Sequence, residues 1–357
     1  MRHKRINARL LFTILLVTIG AGPARTETWQ EESTRSIPIL GIRSLRIENA
    51  RGQISITRAE GSEIRLTALK VVRSNDPKWA KRVSAGTRVV AENRGGEYSV
   101  RVVYPQRQTV KVRFWDLLSD FELPRVEIRL ALDVPDGIAV SLKSTSGDLA
   151  STGIHNAQLI ESTSGDVSVT EASAVRANTT SGDVHVVDSG TVRVRTVSGD
   201  LVAERMRGAL SATTTSGNVS VRGSEDSLVV STVSGDITID AAPRGIDVGT
   251  TSGEVSVRRA AGRIAIESAS GDVTVGLEAP LSPSRIVTVN GAVVLRLIGT
   301  IACALDLRTS NGEIQIDVPL DVENVTRHQL KAVVRKGTVP VSVRTASGDI
   351  SVSEGAR

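Results

Sequence analysis

The sequence predicts an all-β fold: a parallel β-solenoid, similar to a β-helix, with rungs of roughly 18 residues behind an N-terminal β-rich capping region. Three observations lead there. A turn motif, Ser-Gly-Asp or a near variant, recurs through the second half of the chain at nearly constant spacing. The residues between its copies alternate apolar and polar, with β-branched side chains prominent among the apolar ones. Beyond the first 24 residues every aromatic lies between Trp29 and Phe121, and none occurs from Pro124 to Arg357.

Residues 1–24 read as an export signal peptide. MRHKRINAR carries positive charge, residues 10–22 form an apolar run, and Gly22-Pro23-Ala24 offers small residues for cleavage. The alternative is an uncleaved N-terminal anchor, for which the run is short against the roughly 17–25 residues of a spanning helix. Removing the segment takes away Arg2, Lys4, Arg5 and Arg9 and no acid, so the formal charge falls from +5 to +1. The remaining Arg and Lys are interleaved with Asp and Glu, which leaves no basic stripe for nucleic acid. Cys303 is the only cysteine, which excludes an intramolecular disulfide and a cysteine-based metal site. Export without disulfides points to the bacterial envelope, in the periplasm or at the cell surface.

Residues 25–140 form the expected capping region. A repeat-like IENARGQISI at 47–56 is followed by strand-like SEIRLTALKVV, EYSVRVVYP and VEIRLALDVP, and a short helix fits Asn75 to Val83. Such a region covers a solenoid end that would otherwise be an open sheet edge. The stretch at 104–124, YPQRQTVKVRFWDLLSDFELP, interrupts the strand pattern with an aromatic insertion.

Residues 141–357 form the expected solenoid. The turn glycines are Gly147, Gly165, Gly182, Gly199, Gly217, Gly235, Gly253, Gly271, Gly291, Gly312 and Gly348. Their intervals are 17 or 18 residues up to Gly271, then 20, 21 and 36, the last reading as two periods around one degenerate unit. Val184 and Val186 follow one turn and Val192 and Val194 precede the next, a period of two that places a strand on each side of the corner. Stacking in parallel explains why one corner repeats while the other drifts, because equivalent residues then lie about 4.8 Å apart and Thr and Ser can form hydroxyl ladders. The final GDISVSEGAR follows a turn with no matching cap, so that end is expected to be exposed or to meet a partner.

SLRIENARGQISITRAEGSEIRLTALKV at 44–71, VEIRLALDVPDGIAVSLKSTSGDLA at 126–150 and the repeats after them resemble the bacterial DUF4097 β-strand-repeat family, also called candidate adhesins. The resemblance implies an exported or membrane-associated solenoid-like protein, often encoded near envelope-stress or anti-sigma regulators. It implies no established enzyme activity.

The residues of the corner invite two chemical readings. Asp148, Asp166, Asp183, Asp200, Asp236, Asp272 and Asp349 follow the glycine, and stacked carboxylates suit Ca²⁺. The same column accepts Asn218, Glu254, Ala292 and Glu313, and no GGxGxD occurs, which favours a turn position and no metal. Nine equal copies of Ser before the glycine, with Asn at 290 and 311, do not make a nucleophile. No GxSxG or HExxH is present, and His155, His185 and His328 are scattered.

No catalytic residue, metal or cofactor is therefore expected. Phe114, Trp115 and Phe121 are the candidate partner contact, the alternative being a hydrophobic plug over the first rung. The function expected is a non-enzymatic, exported structural or adhesin-like scaffold of the envelope. The alternative is a regulatory envelope protein that binds a membrane or anti-sigma-type partner in stress signalling. An envelope protein or surface ligand, membrane proximity, and glycan binding as a weaker option are the partner classes left.

Overall fold

The computed structural model describes residues 27–74, 77–105 and 125–355. It falls into two compact units, one ending at Gly165 and the other beginning at Asp166. Phe114, Trp115 and Phe121 and the expected export signal at residues 1–24 lie outside the described residues.

In the first unit, one sheet runs from Glu27–Pro38 through Glu63–Ser74, Arg125–Pro135 and Ile54–Ala59 to Leu149–Thr152. Its first two pairings are antiparallel and its last two parallel. The other sheet begins with the antiparallel pair Arg88–Arg94 and Glu97–Val103, then adds Ser44–Arg51, Ala139–Ser146 and Ala157–Ser164, all in parallel. The helix is Pro77–Gly86, with proline at its first position, where a missing N–H costs nothing. Ala80 and Val83 on the helix join Val72 and Val126 in a small apolar cluster, with Trp29 and Tyr104 packed against it.

The second unit is built almost wholly of parallel strand pairs. Down one sheet Val167, Val184, Leu201, Val219, Ile237, Val255, Val273 and Val293 occupy one register line. Down the other, Val175, Val192, Leu210, Leu228, Ile246 and Ile264 do the same. Every one of these residues is buried. Alternation sends the intervening residues, such as His185, to solvent. β-Branched side chains suit a pleated surface packed on one face, and burying each contributes about 1.5–3 kcal/mol. A thin core filled by two aliphatic residues per strand leaves no need for aromatics.

The chain order breaks at the far end. In one sheet Val293–Ile298 is followed in space by Ile350–Gly355 and only then by Ile314–Asp317. In the other, Ser284–Asn290 is followed by Pro340–Ser347 and then by Cys303–Asn311. The expected degenerate rung between Gly312 and Gly348 is instead an antiparallel hairpin, Asp321–Thr326 with Gln329–Val334, bonded to Cys303–Asn311. The last strand is likewise not a bare end: it fills an interior slot. Burial gives the reason. Val341, Val343, Ile350 and Val352 are at most 1% exposed, whereas Ile314–Asp317 alternates half-buried and exposed as an edge strand does.

Candidate functional site: the repeated corner

The corner is built around glycines that no other residue can replace. Gly199, Gly217 and Gly235 have φ of 151°, 149° and 144°, a region open essentially to glycine alone. A Cβ on each would also be driven into the carbonyl of the glycine one rung below. At the end of the unit, Gly348 would meet Gly291 and Gly312 would meet Gly348, which follows the spatial order.

The aspartates beside them form a ladder between rungs. Asp166 Oδ1 accepts the backbone N–H of Asp183 at 2.9 Å, and Asp183 Oδ1 accepts that of Asp200 at 2.9 Å. Asp200 accepts from Asn218, Asn218 from Asp236, and Asp236 from Glu254, at 2.7–2.9 Å. Asp272 accepts from Ala292 and Asp349 from Glu313, both at 2.8 Å. The bonds therefore join neighbouring rungs and do not close the turn locally. Donation uses the backbone, so any residue can donate; acceptance needs the short reach of Asp or Asn. Alanine at 292 thus fits, since it still donates. Each of these aspartates commits one oxygen to its neighbour, and among the described residues no group of three or more His, Cys, Asp or Glu is placed to hold a metal.

Three residues before each glycine stands a buried Thr or Ser. The sequence suggests hydroxyl-to-hydroxyl ladders here, but the bonds found run to carbonyls. Thr345 donates to Gly291 O at 3.1 Å, Thr309 to Gly348 O at 3.0 Å and Ser162 to Gly165 O at 3.2 Å. Eight others, Thr214, Thr232 and Thr250 among them, have no hydrogen-bond partner among the described residues. Such a hydroxyl contributes little, and Thr232→Val is expected to change stability by less than about 1 kcal/mol, or to raise it. A loss above about 2 kcal/mol in chemical denaturation would show that the hydroxyl is bonded after all.

At Gly52, in the first unit, Asn49 takes this position. Its amide donates to Ile128 O at 2.7 Å and Gly52 O at 3.2 Å, while the Tyr104 hydroxyl faces Asn49 Oδ1 at 2.7 Å and the Arg51 carbonyl. Burial pushes the Tyr104 phenol up to about 12, against the hydrogen bonds around it. A raised value favours the protonated form, so the stability linked to Tyr104 is complete below about pH 10 and is lost between there and about pH 12. Tyr104→Phe should flatten the alkaline limb of a stability–pH curve. Nothing in the sequence marks Asn49 and Tyr104 as partners, since they lie 55 positions apart.

The second corner is looser. Glu171, Asp188 and Arg205 adopt positive φ of 56°, 51° and 51°, unusual for side-chain-bearing residues. Arg205 bonds Asp188 through two nitrogens at 2.8 and 2.7 Å, and this hydrogen bonding holds the Asp188 carboxyl below its usual value. The pair is a surface feature and contributes little to stability. His185 is exposed and Cys303 is buried. Desolvation raises the Cys303 thiol to about 11, so at neutral pH it is neither exposed nor ionised. Its reaction with a disulfide reagent at pH 7.5 is expected to proceed only through unfolding and to accelerate sharply in denaturant. Fast labelling of the native chain would contradict that placement.

Parallel strand pairs, an irreplaceable corner glycine and an aspartate ladder define a stacked-strand repeat protein, all-β among the described residues apart from one short helix. The chain belongs to the Toastrack DUF4097 family, which it matches over residues 36–245 and again over 242–353. No curated protein matches it. Among solved structures it is similar to a candidate adhesin from Parabacteroides distasonis, at 13% identity over 74% of this chain and 96% of that one, with a TM-score of 0.34. A candidate adhesin from Bacteroides fragilis shares 12% identity over 90% of this chain and 97% of that one, with a TM-score of 0.32. A candidate lipid-binding protein, also from Parabacteroides distasonis, shares 13% identity over 90% and 96%, with a TM-score of 0.32.

Proposed function

We propose that the protein is a non-enzymatic, exported scaffold of the bacterial envelope, structural or adhesive in role, whose rungs of about 18 residues stand behind an N-terminal cap. The observation that carries this reading is the corner itself. Its serines, glycines and aspartates recur as equal copies, and the aspartates bond the next rung, so the most repeated polar side chains of the molecule serve stacking. A surface of evenly spaced polar groups on a stiff support suits display. Phe114, Trp115 and Phe121 are the proposed partner contact.

Bacteria carrying the full chain should yield it in the periplasmic or surface fraction, and beads coated with the purified chain should be retained on envelope material. Retention in the cytoplasm, or beads that behave as uncoated ones, would defeat the reading. Replacing Trp115 and Phe121 together by serine should abolish capture of the partner while leaving the melting curve unchanged. A lowered melting temperature would assign those residues to a plug.

A further inference from the structure

We propose that the far end of the second unit is a strand-addition site for an extended, basic segment of a partner protein. The two sheets stop at different heights there. One ends on Ile314–Asp317, bonded on a single side to Ile350–Gly355. The other continues for two more strands, Gln329–Val334 and Asp321–Thr326. In the hairpin Val322 lies opposite Ala332 and Val325 opposite Leu330. Directly opposed residues share a face, and Ala332 and Leu330 are buried, so the two valines point inward as well. They are nonetheless 56% and 66% exposed, because among the described residues the first sheet has no strand left to cover them.

The backbone says what would cover them. The Glu313 carbonyl accepts the Ile350 N–H at 2.9 Å, and the alternation of a parallel ladder then turns the polar backbone groups of Ile314 and Ile316 to the open side. An extended strand satisfies those groups and lays alternate side chains over the half-buried isoleucines and the exposed valines, which is how strand addition combines affinity with selectivity. Charge selects the occupant. From Glu313 to Thr326 the chain carries Glu313, Asp317, Asp321 and Glu323, all exposed, and no Lys or Arg; Arg327 and His328 stand beyond, in the hairpin turn. A second copy would bring the same four carboxylates against these, whereas lysines or arginines flanking an apolar strand complement them. The site is independent of export.

The test is fluorescence anisotropy of a labelled peptide of alternating lysine and valine, titrated with the full chain. Saturable binding is expected, weakened by about tenfold or more in the double variant Val322→Lys, Val325→Lys, whose circular dichroism should match the parent because both positions are exposed. Amide exchange at Ile314 and Ile316 should slow in the complex. Equal binding by the variant, equal binding of a peptide with the same residues but its valines in one block, or unchanged exchange would overturn the proposal. A dimer in sedimentation that the double variant abolishes would also overturn it, by giving the site to a second copy.

Discussion

Gly217→Ala is expected to destabilise the second unit by about 3–5 kcal/mol, visible as a lowered midpoint in chemical denaturation. Two effects add. The backbone at φ 149° disfavours any side chain, and the new Cβ would lie 2.7 Å from the Gly199 carbonyl carbon. Relief requires the rungs to part, which strains the bonds from Ser216 N to Val197 O at 2.8 Å and from Gly199 N to Ser216 O at 3.2 Å. Gly249→Ala provides the comparison. Its nearest neighbour would be the Ser231 hydroxyl at 3.8 Å and its φ is not positive, so a change within about 1 kcal/mol is expected. Similar losses at both positions would mean that the glycine column is not what sets the rung spacing.

Ending the chain at Val339 should be more damaging still. In a simple stack, losing the final residues removes only a terminal rung. Here Pro340–Ser347 and Ile350–Gly355 lie between two other rungs. Val341, Val343, Ile350 and Val352 alone represent on the order of 6–12 kcal/mol of burial, comparable with the whole stability of a typical domain. Cys303 would lose its cover as Cys303–Asn311 parts from Pro340–Ser347, so the truncated chain should react with thiol reagents at neutral pH while the full chain does not. A truncated chain that melts like the parent and keeps Cys303 hidden would refute the assigned strand order.

Much of this was legible in the residues. The period of the turn glycines marks the corners, and the alternation around Val184, Val186, Val192 and Val194 separates buried from exposed positions. The helix is foreshadowed from Asn75, and Ala292 in the aspartate column already marks a position that the backbone alone can serve. Strand order was not legible, because every Ser-Gly-Asp corner fits every other and the period carries no address. The difference lies in how completely the apolar positions are filled: Val341 to Val352 suit an interior slot, and Ile314–Asp317 suits an edge. The direction of the aspartate ladder was hidden because its donor is backbone. Asp188 opens the Asp-Ser-Gly turn readable at 188–190, whereas the positive φ of Glu171 and Arg205 gave no signal, neither being a usual turn residue. The open half-rung at Val322 and Val325 follows from topology and has no motif of its own.

The ladder also makes length a quantised property of this chain. Each aspartate reaches the next rung only, and the paired strands keep one register line from Val167 to Val293. Removing a single residue from a strand turns its buried side chains outward. Removing residues 236–253 takes out one whole repeat and brings Glu254 to the place of Asp236, where its N–H can still meet Asn218. Ancestral duplications and losses in such a chain are therefore tolerable in steps of one repeat, each changing the height by about 4.8 Å. The interleaved strands near the C-terminus lie outside that count, so the height of the second unit can drift while its far end stays the same.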